Sequence, residues 1–133
     1  MMINKKKRTM NKSLFSKKLI DLVEKQFLEN SQDEKKDTVN IGDIIRLEYK
    51  IPDGNKERIQ VYEGLVIAKQ NRGLGKSFTL RRDVQGIGVE QIFLLSSPKI
   101  NSIKRKQASK VRRAKLYFIR KLQGKATRLK IKR

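Results

Sequence analysis

Apolar residues recur at Phe15, Leu19, Leu22, Val23 and Phe27 in the stretch LFSKKLIDLVEKQFL, with polar residues between them. Steps of three and four place them on one side of a helix, and an amphipathic helix is expected over residues 13–30. Asn11 and Ser13 are the capping candidates at its start. Before it, residues 1–12 read as a basic extension. After it, residues 31–38 are polar and aperiodic and read as a linker.

The period then falls to two. In IIRLEYKI, Ile45, Leu47, Tyr49 and Ile51 alternate with Arg46, Glu48 and Lys50, the mark of a half-buried strand. The stretch Pro52 to Asn55 supplies a turn, and alternation resumes at Ile59 and Val61. GLVIA, residues 64–68, is continuously apolar and predicts a strand covered on both faces, with Gly64 marking a bulge or a close backbone approach. NRGLGK reads as a loop. SFTLRR alternates again, setting Phe78 and Leu80 against Thr79 and Arg81. QGIG is a turn, VEQIFLL a strand, and KINSI a short last strand. Five short strands with tight turns over residues 39–106 predict a mainly β domain, a small barrel or sandwich.

Residues 107–133 return to helical spacing. Val111, Ala114, Leu116, Tyr117, Phe118, Ile119 and Leu122 lie among Arg112, Arg113, Lys115, Arg120 and Lys121, which predicts a short helix over 111–122 stopped at Gly124. KATRLKIKR alternates and predicts an extended run laid along a partner. A disordered cationic tail is poor in aromatic and branched residues, and this segment is not.

Charge changes the picture most. The chain of 133 residues carries 34 Lys and Arg against 13 Asp and Glu, a net charge of +21. Glu90 is the last acid, and the 43 residues after it hold fifteen of the cations. A soluble surface mixes signs; a single-sign surface of this size calls for a polyanion, and nucleic acid is the first candidate. The chain has no Cys and no His, which removes disulfides, thiol nucleophiles, histidine bases and the usual zinc ligands. Glu63 and Glu90 lie in strand contexts and read as salt-bridge partners rather than a catalytic pair. No cofactor, enzymatic activity or small-molecule substrate is expected. Strongly apolar runs reach only four residues, as in IFLL, so no membrane span is expected either. The acid-free residues 1–20 have the composition of a transit peptide, but the helix pattern continues through Asp21 and Glu24, and a mature N-terminus is the reading.

The glycine pairs of GLG and GIG lack a strand–GxGxxG–helix setting and read as turns. Tyr49, Phe78 and Phe93 alternate with the aliphatic core positions and belong with them. Tyr117 and Phe118 are adjacent, so at least one is left for RNA or a protein neighbour. Arg72, Lys76, Arg81 and Arg82 lie on or near one hairpin and are candidate phosphate ligands. The candidate set continues through Lys104, Arg105, Lys106, Lys110, Arg112, Arg113, Lys115, Arg120, Lys121, Lys125, Arg128 and Lys130.

The segment from about Val39 to Lys130 resembles the large-subunit ribosomal protein L19 family of bacteria and organelles. The resemblance rests on Tyr62-Glu63-Gly64, Asn71-Arg72-Gly73, Phe78-Thr79-Leu80-Arg81-Arg82, Gly88-Val89-Glu90, Ser97-Pro98, Val111 to Tyr117 and Gly124-Lys125-Ala126. It implies an SH3-like barrel with an N-terminal helix and a basic C-terminal extension. It also implies binding to large-subunit rRNA, contacts with neighbouring large-subunit proteins and a share in the interface with small-subunit rRNA. The chain departs from the family at Gln107-Ala108-Ser109, where an Arg-Arg-Gly-like stretch is common, and at Gln91, where Arg is common. Residues 1–12 and the acidic insert at Asp33 to Asp37 are not typical either. Lys-, Asn- and Ile-rich usage points to an AT-rich genome and a plastid stroma, with a bacterial cytoplasm as the alternative. The rival functions are a free-standing nucleic-acid-binding SH3-like module of transcription or translation and a cationic membrane-active protein.

Overall fold

A computed structural model of the chain describes residues 14–27 and 39–132. The expected basic extension, the capping residues and the polar linker lie outside them. The chain divides into two compact units, residues 1–32 and 33–133. In the first, helix α1 covers residues 14–27, and its apolar stripe from Phe15 to Phe27 is exposed.

The second unit is a five-stranded antiparallel sheet. Its strands are β1 (Ile44–Asp53), β2 (Lys56–Gln70), β3 (Ser77–Val84), β4 (Ile87–Leu94) and β5 (Ile100–Gln107), in the order β4-β3-β2-β1-β5. The turn chemistry explains the hairpins. Gly54 joins β1 to β2 at φ 61°. Gln85 and Gly86 join β3 to β4 at φ 53° and 81°, the paired positive values of a type I′ turn, whose twist matches that of the strands.

Alternation sorts the side chains into two cores. Ile45, Leu47, Val66, Phe78, Leu80, Phe93 and Ile103 fill the first. The rings of Tyr49 on β1 and Phe93 on β4 lie 5.5 Å apart. A flat sheet would hold those strands about 14 Å apart at the usual spacing, so the sheet curls into a small barrel-like form. Ile67 and Ala68 on the other side of β2 meet Leu116 and Ile119 in the second core, with Leu65, Val111 and Leu129 packed around them. The GLVIA run is thus covered on both faces, as its continuous apolarity requires. Gly64 is a close approach: a Cβ there would lie 2.5 Å from the Arg81 carbonyl oxygen. A bulge also falls in this strand, between Val66 and Ala68.

Two elements differ from expectation. The last strand runs to Gln107 rather than Ile103, because Lys104 and Arg105 pair with Arg46 and Ile45 of β1. As an edge strand, β5 can carry a row of cations into solvent. The helix expected over 111–122 is a single 3-10 turn, Tyr117–Lys121. The cause is a competing backbone bond: Leu116 N–H donates to the Ile67 carbonyl at 2.8 Å and is lost to the helical ladder. The five cations of the segment also have no acid four residues away to support a helix. Leu116 and Ile119, three residues apart, are the buried pair, which a 3-10 turn places on one side.

Gly124, at φ 63°, opens another 3-10 turn, Gly124–Thr127. The chain then extends, but the partner it lies along is its own segment. Lys110 N–H donates to Lys130 O at 2.7 Å and Lys132 N–H to Ala108 O at 2.9 Å, around an antiparallel bridge between Ser109 and Ile131. The extension is therefore a closed, docked loop.

Candidate nucleic-acid interface

The register of β3 and β4 sets Arg81 directly opposite Glu90. Arg81 Nη1 donates to Glu90 Oε1 at 2.8 Å. The extension supplies a second arginine to the same carboxylate. Arg120 Nε donates to Oε1 and Nη2 to Oε2, both at 2.7 Å, a two-pronged charge-assisted contact. The hydrogen bonds from Arg120, and then the one from Arg81, hold the Glu90 carboxyl below its ordinary value, against the opposing effect of burial. The Glu90 contacts in turn raise Arg120. Gly88 is part of this clasp: the Arg81 guanidinium occupies the space a Cβ on Gly88 would need.

The Arg120 guanidinium also lies 4.5 Å from the Tyr117 ring centroid, and Lys115 Nζ 5.9 Å from it. Arg113 lies 5.2 Å from the Phe118 centroid. Tyr117 and Phe118 remain 42% and 36% exposed. Neither ring enters a core; the flanking Leu116 and Ile119 do. Both rings sit at the surface against cations, the arrangement expected of cation–π pairs.

The candidate cations fall into separate groups. Arg81, Arg82, Arg120 and Arg128 border a groove of about 860 Å³ between the β3–β4 hairpin and the extension. Lys110, Arg112, Arg113 and Lys130 rim a cleft of about 500 Å³ within the extension. Lys104, Arg105 and Lys106 follow one another along the edge strand β5 and are exposed. Lys121 and Lys125 stand exposed on the two 3-10 turns.

The four hairpin candidates Arg72, Lys76, Arg81 and Arg82 do not share one face. Arg81 and Arg82 are neighbours on a strand and point to opposite faces. Arg81 reaches Glu90, while Arg82 covers the Tyr62 ring at 4.6 Å. Arg72 and Lys76 flank the 3-10 turn before β3, and Lys76 lies about 20 Å of strand from Arg82 at the usual rise per residue. Several other cations already have protein partners. Lys106 donates to Glu63 at 2.7 Å, and Arg105 lies 3.8 Å from the buried carboxylate of Asp43. These contacts orient the side chains; the exposed Lys106 pair contributes little stability and leaves that charge free to meet a phosphate.

The salt-bridge reading of Glu63 and Glu90 holds, but the central position of Glu90 does not follow from spacing. The signal was its place as the last acid before an acid-free segment: the one carboxylate at the boundary gathers a cation from each side. Asp43 has no such signal, since its burial depends on how β1, β2 and β5 pack.

Comparison with known proteins accounts for the rest of the pattern. Residues 18–132 match the family model described as Ribosomal protein L19. The chain is 50% identical over 119 residues to the large ribosomal subunit protein bL19c of Phaeodactylum tricornutum, covering 88% of this chain and 94% of that one. It is 49% identical over 118 residues to bL19c of Thalassiosira weissflogii, covering 89% and 95% of the two chains. Against bL19 of Synechocystis sp. the identity is 50% over 112 residues, covering 84% and 88%. With a docked cationic extension and this extent of likeness over most of its length, the chain belongs to the ribosomal protein L19 family, whose members are structural constituents of the large ribosomal subunit and not enzymes.

Proposed function

We propose that this protein binds large-subunit rRNA through its docked C-terminal extension and the cationic edge of β5, and contributes there to the interface with small-subunit rRNA. The observation that carries the reading is the extension itself. It is acid-free after Glu90, yet folded: Leu116 and Ile119 anchor it in the second core while Arg112, Arg113, Lys115, Lys121 and Lys125 stay exposed. A loose tail would neutralise phosphates without shape. A docked one presents fixed charges to a fixed phosphate geometry, which suits A-form RNA, recognised by backbone and shape rather than by its deep major groove. The barrel-like sheet supplies the rigid base. Neighbouring large-subunit proteins are the further partners, and the exposed apolar stripe of α1 supports contacts of that kind. Likeness to bL19c proteins and to cyanobacterial bL19 favours a plastid ribosome, with a bacterial one as the alternative.

Sedimentation of ribosomes after a high-salt wash tests the reading. The protein is expected to stay with the large subunit, because many phosphate contacts and protein packing act together. Its quantitative release into the soluble fraction at ordinary salt contradicts the reading and favours a free-standing nucleic-acid-binding module. Tighter binding to anionic vesicles than to rRNA also contradicts it.

A further inference from the structure

The cleft inside the extension combines two features that rarely share one surface. Its floor is apolar: Val111, Leu129 and the ring of Phe118. Its rim is wholly cationic: Lys110, Arg112, Arg113 and Lys130. The cleft exists because the chain end returns to pair at Lys110, bringing Leu129 and Lys130 beside Val111. At about 500 Å³ it falls within the size range of small-molecule sites.

We propose that this cleft receives the unpaired base of one RNA nucleotide, stacked on Phe118, with the flanking phosphates held by the rim. The proposal rests on the RNA-binding reading above and adds to it a preference for a splayed-out base over a continuous duplex. Charge complementarity selects the occupant. An apolar protein side chain would fill the floor, but its surroundings would have to supply acids for four cations that show no acidic partner among the described residues. A nucleotide supplies a flat apolar face and phosphates in one unit, and aromatic stacking of an unpaired base is the usual means of holding single-stranded segments. Tyr117 is the poorer platform, because Lys115 and Arg120 already lie against its ring and Arg120 is committed to Glu90. Among the described residues the cation against the Phe118 ring is Arg113, whose planar guanidinium can stack in turn on the base.

The test compares three RNA hairpins with the full chain at one salt concentration: fully paired, with a single-base bulge, and with the same bulge made abasic. The bulged RNA is expected to bind about tenfold tighter than the paired one, a change of about 1.4 kcal/mol that lies within the range of one base stacked on an aromatic ring. The abasic bulge is expected to lose that gain, and so is Phe118→Leu, which keeps the apolar volume and removes the ring. The abasic arm needs no variant, so the result stands even where Phe118→Leu unfolds. Equal affinity for bulged and abasic RNA overturns the cleft proposal while leaving RNA binding intact. Capture of a protein rather than RNA by a photoreactive group at position 118 in assembled large subunits also overturns it. Failure of all three RNAs to bind at low salt overturns the RNA-binding reading itself.

Discussion

At the scale of single residues, Glu90 does the most with the least. One carboxylate takes three hydrogen bonds from two arginines, one on β3 and one on the extension. Its folded-state acidity is stronger than the ordinary value, so the sign of the pH effect is fixed. The stabilisation is complete above the ordinary glutamate value of about 4.3 and is lost as pH falls below that through the lowered folded value. The extension is therefore expected to stay docked across neutral pH and to loosen in acid. Amide exchange at Ile119 and Leu122, followed from pH 7 to pH 3, checks this. In Glu90→Gln the exchange is expected to be faster already at pH 7 and its acid-dependent component to disappear. A variant that keeps the wild-type profile would show that the Arg120 contact does not hold the extension. Strand alternation made Arg81 and Glu90 legible as surface or salt-bridge residues, but their partnership was not, because it depends on the register that the Gln85-Gly86 turn imposes.

At the scale of elements, local pattern and long-range contact part company. The five strands were legible because alternation is local and their turns carry Gly or Pro at the required places. The extension was not. Its apolar spacing over 111–122 satisfies a helix, and the contact that defeats the helix, Leu116 to Ile67, joins residues from distant parts of the chain. The second core depends on that contact. Leu116 is 1% exposed, and Leu116→Ala is expected to cost about 2–5 kcal/mol by cavity formation. Urea unfolding measures the loss. Limited proteolysis is expected to cut first between residues 110 and 130, since the first core keeps all its members. Cleavage that begins instead in β3 or β4 would show that the two cores are one cooperative unit.

At the scale of the whole chain, the sheet frames the unit of residues 33–133, and the last 43 residues hold fifteen of the 34 cations and no acid. The charge asymmetry alone announced a polyanion; it could not tell a tail from a folded surface, because charge counts hold no information about docking. The central claim is that the extension acts through fixed, exposed cations on a docked frame. The most direct test is the salt dependence of binding to a large-subunit rRNA fragment, measured for the natural chain and for the triple variant Arg112→Ala, Arg113→Ala, Lys115→Ala. The log–log slope is expected to fall by about 2–3 in magnitude, at roughly 0.7–0.9 per phosphate contact removed, with an unchanged melting temperature. An unchanged slope, or a loss of melting temperature as large as that of Leu116→Ala, would contradict the account and show that these cations act by packing rather than on RNA.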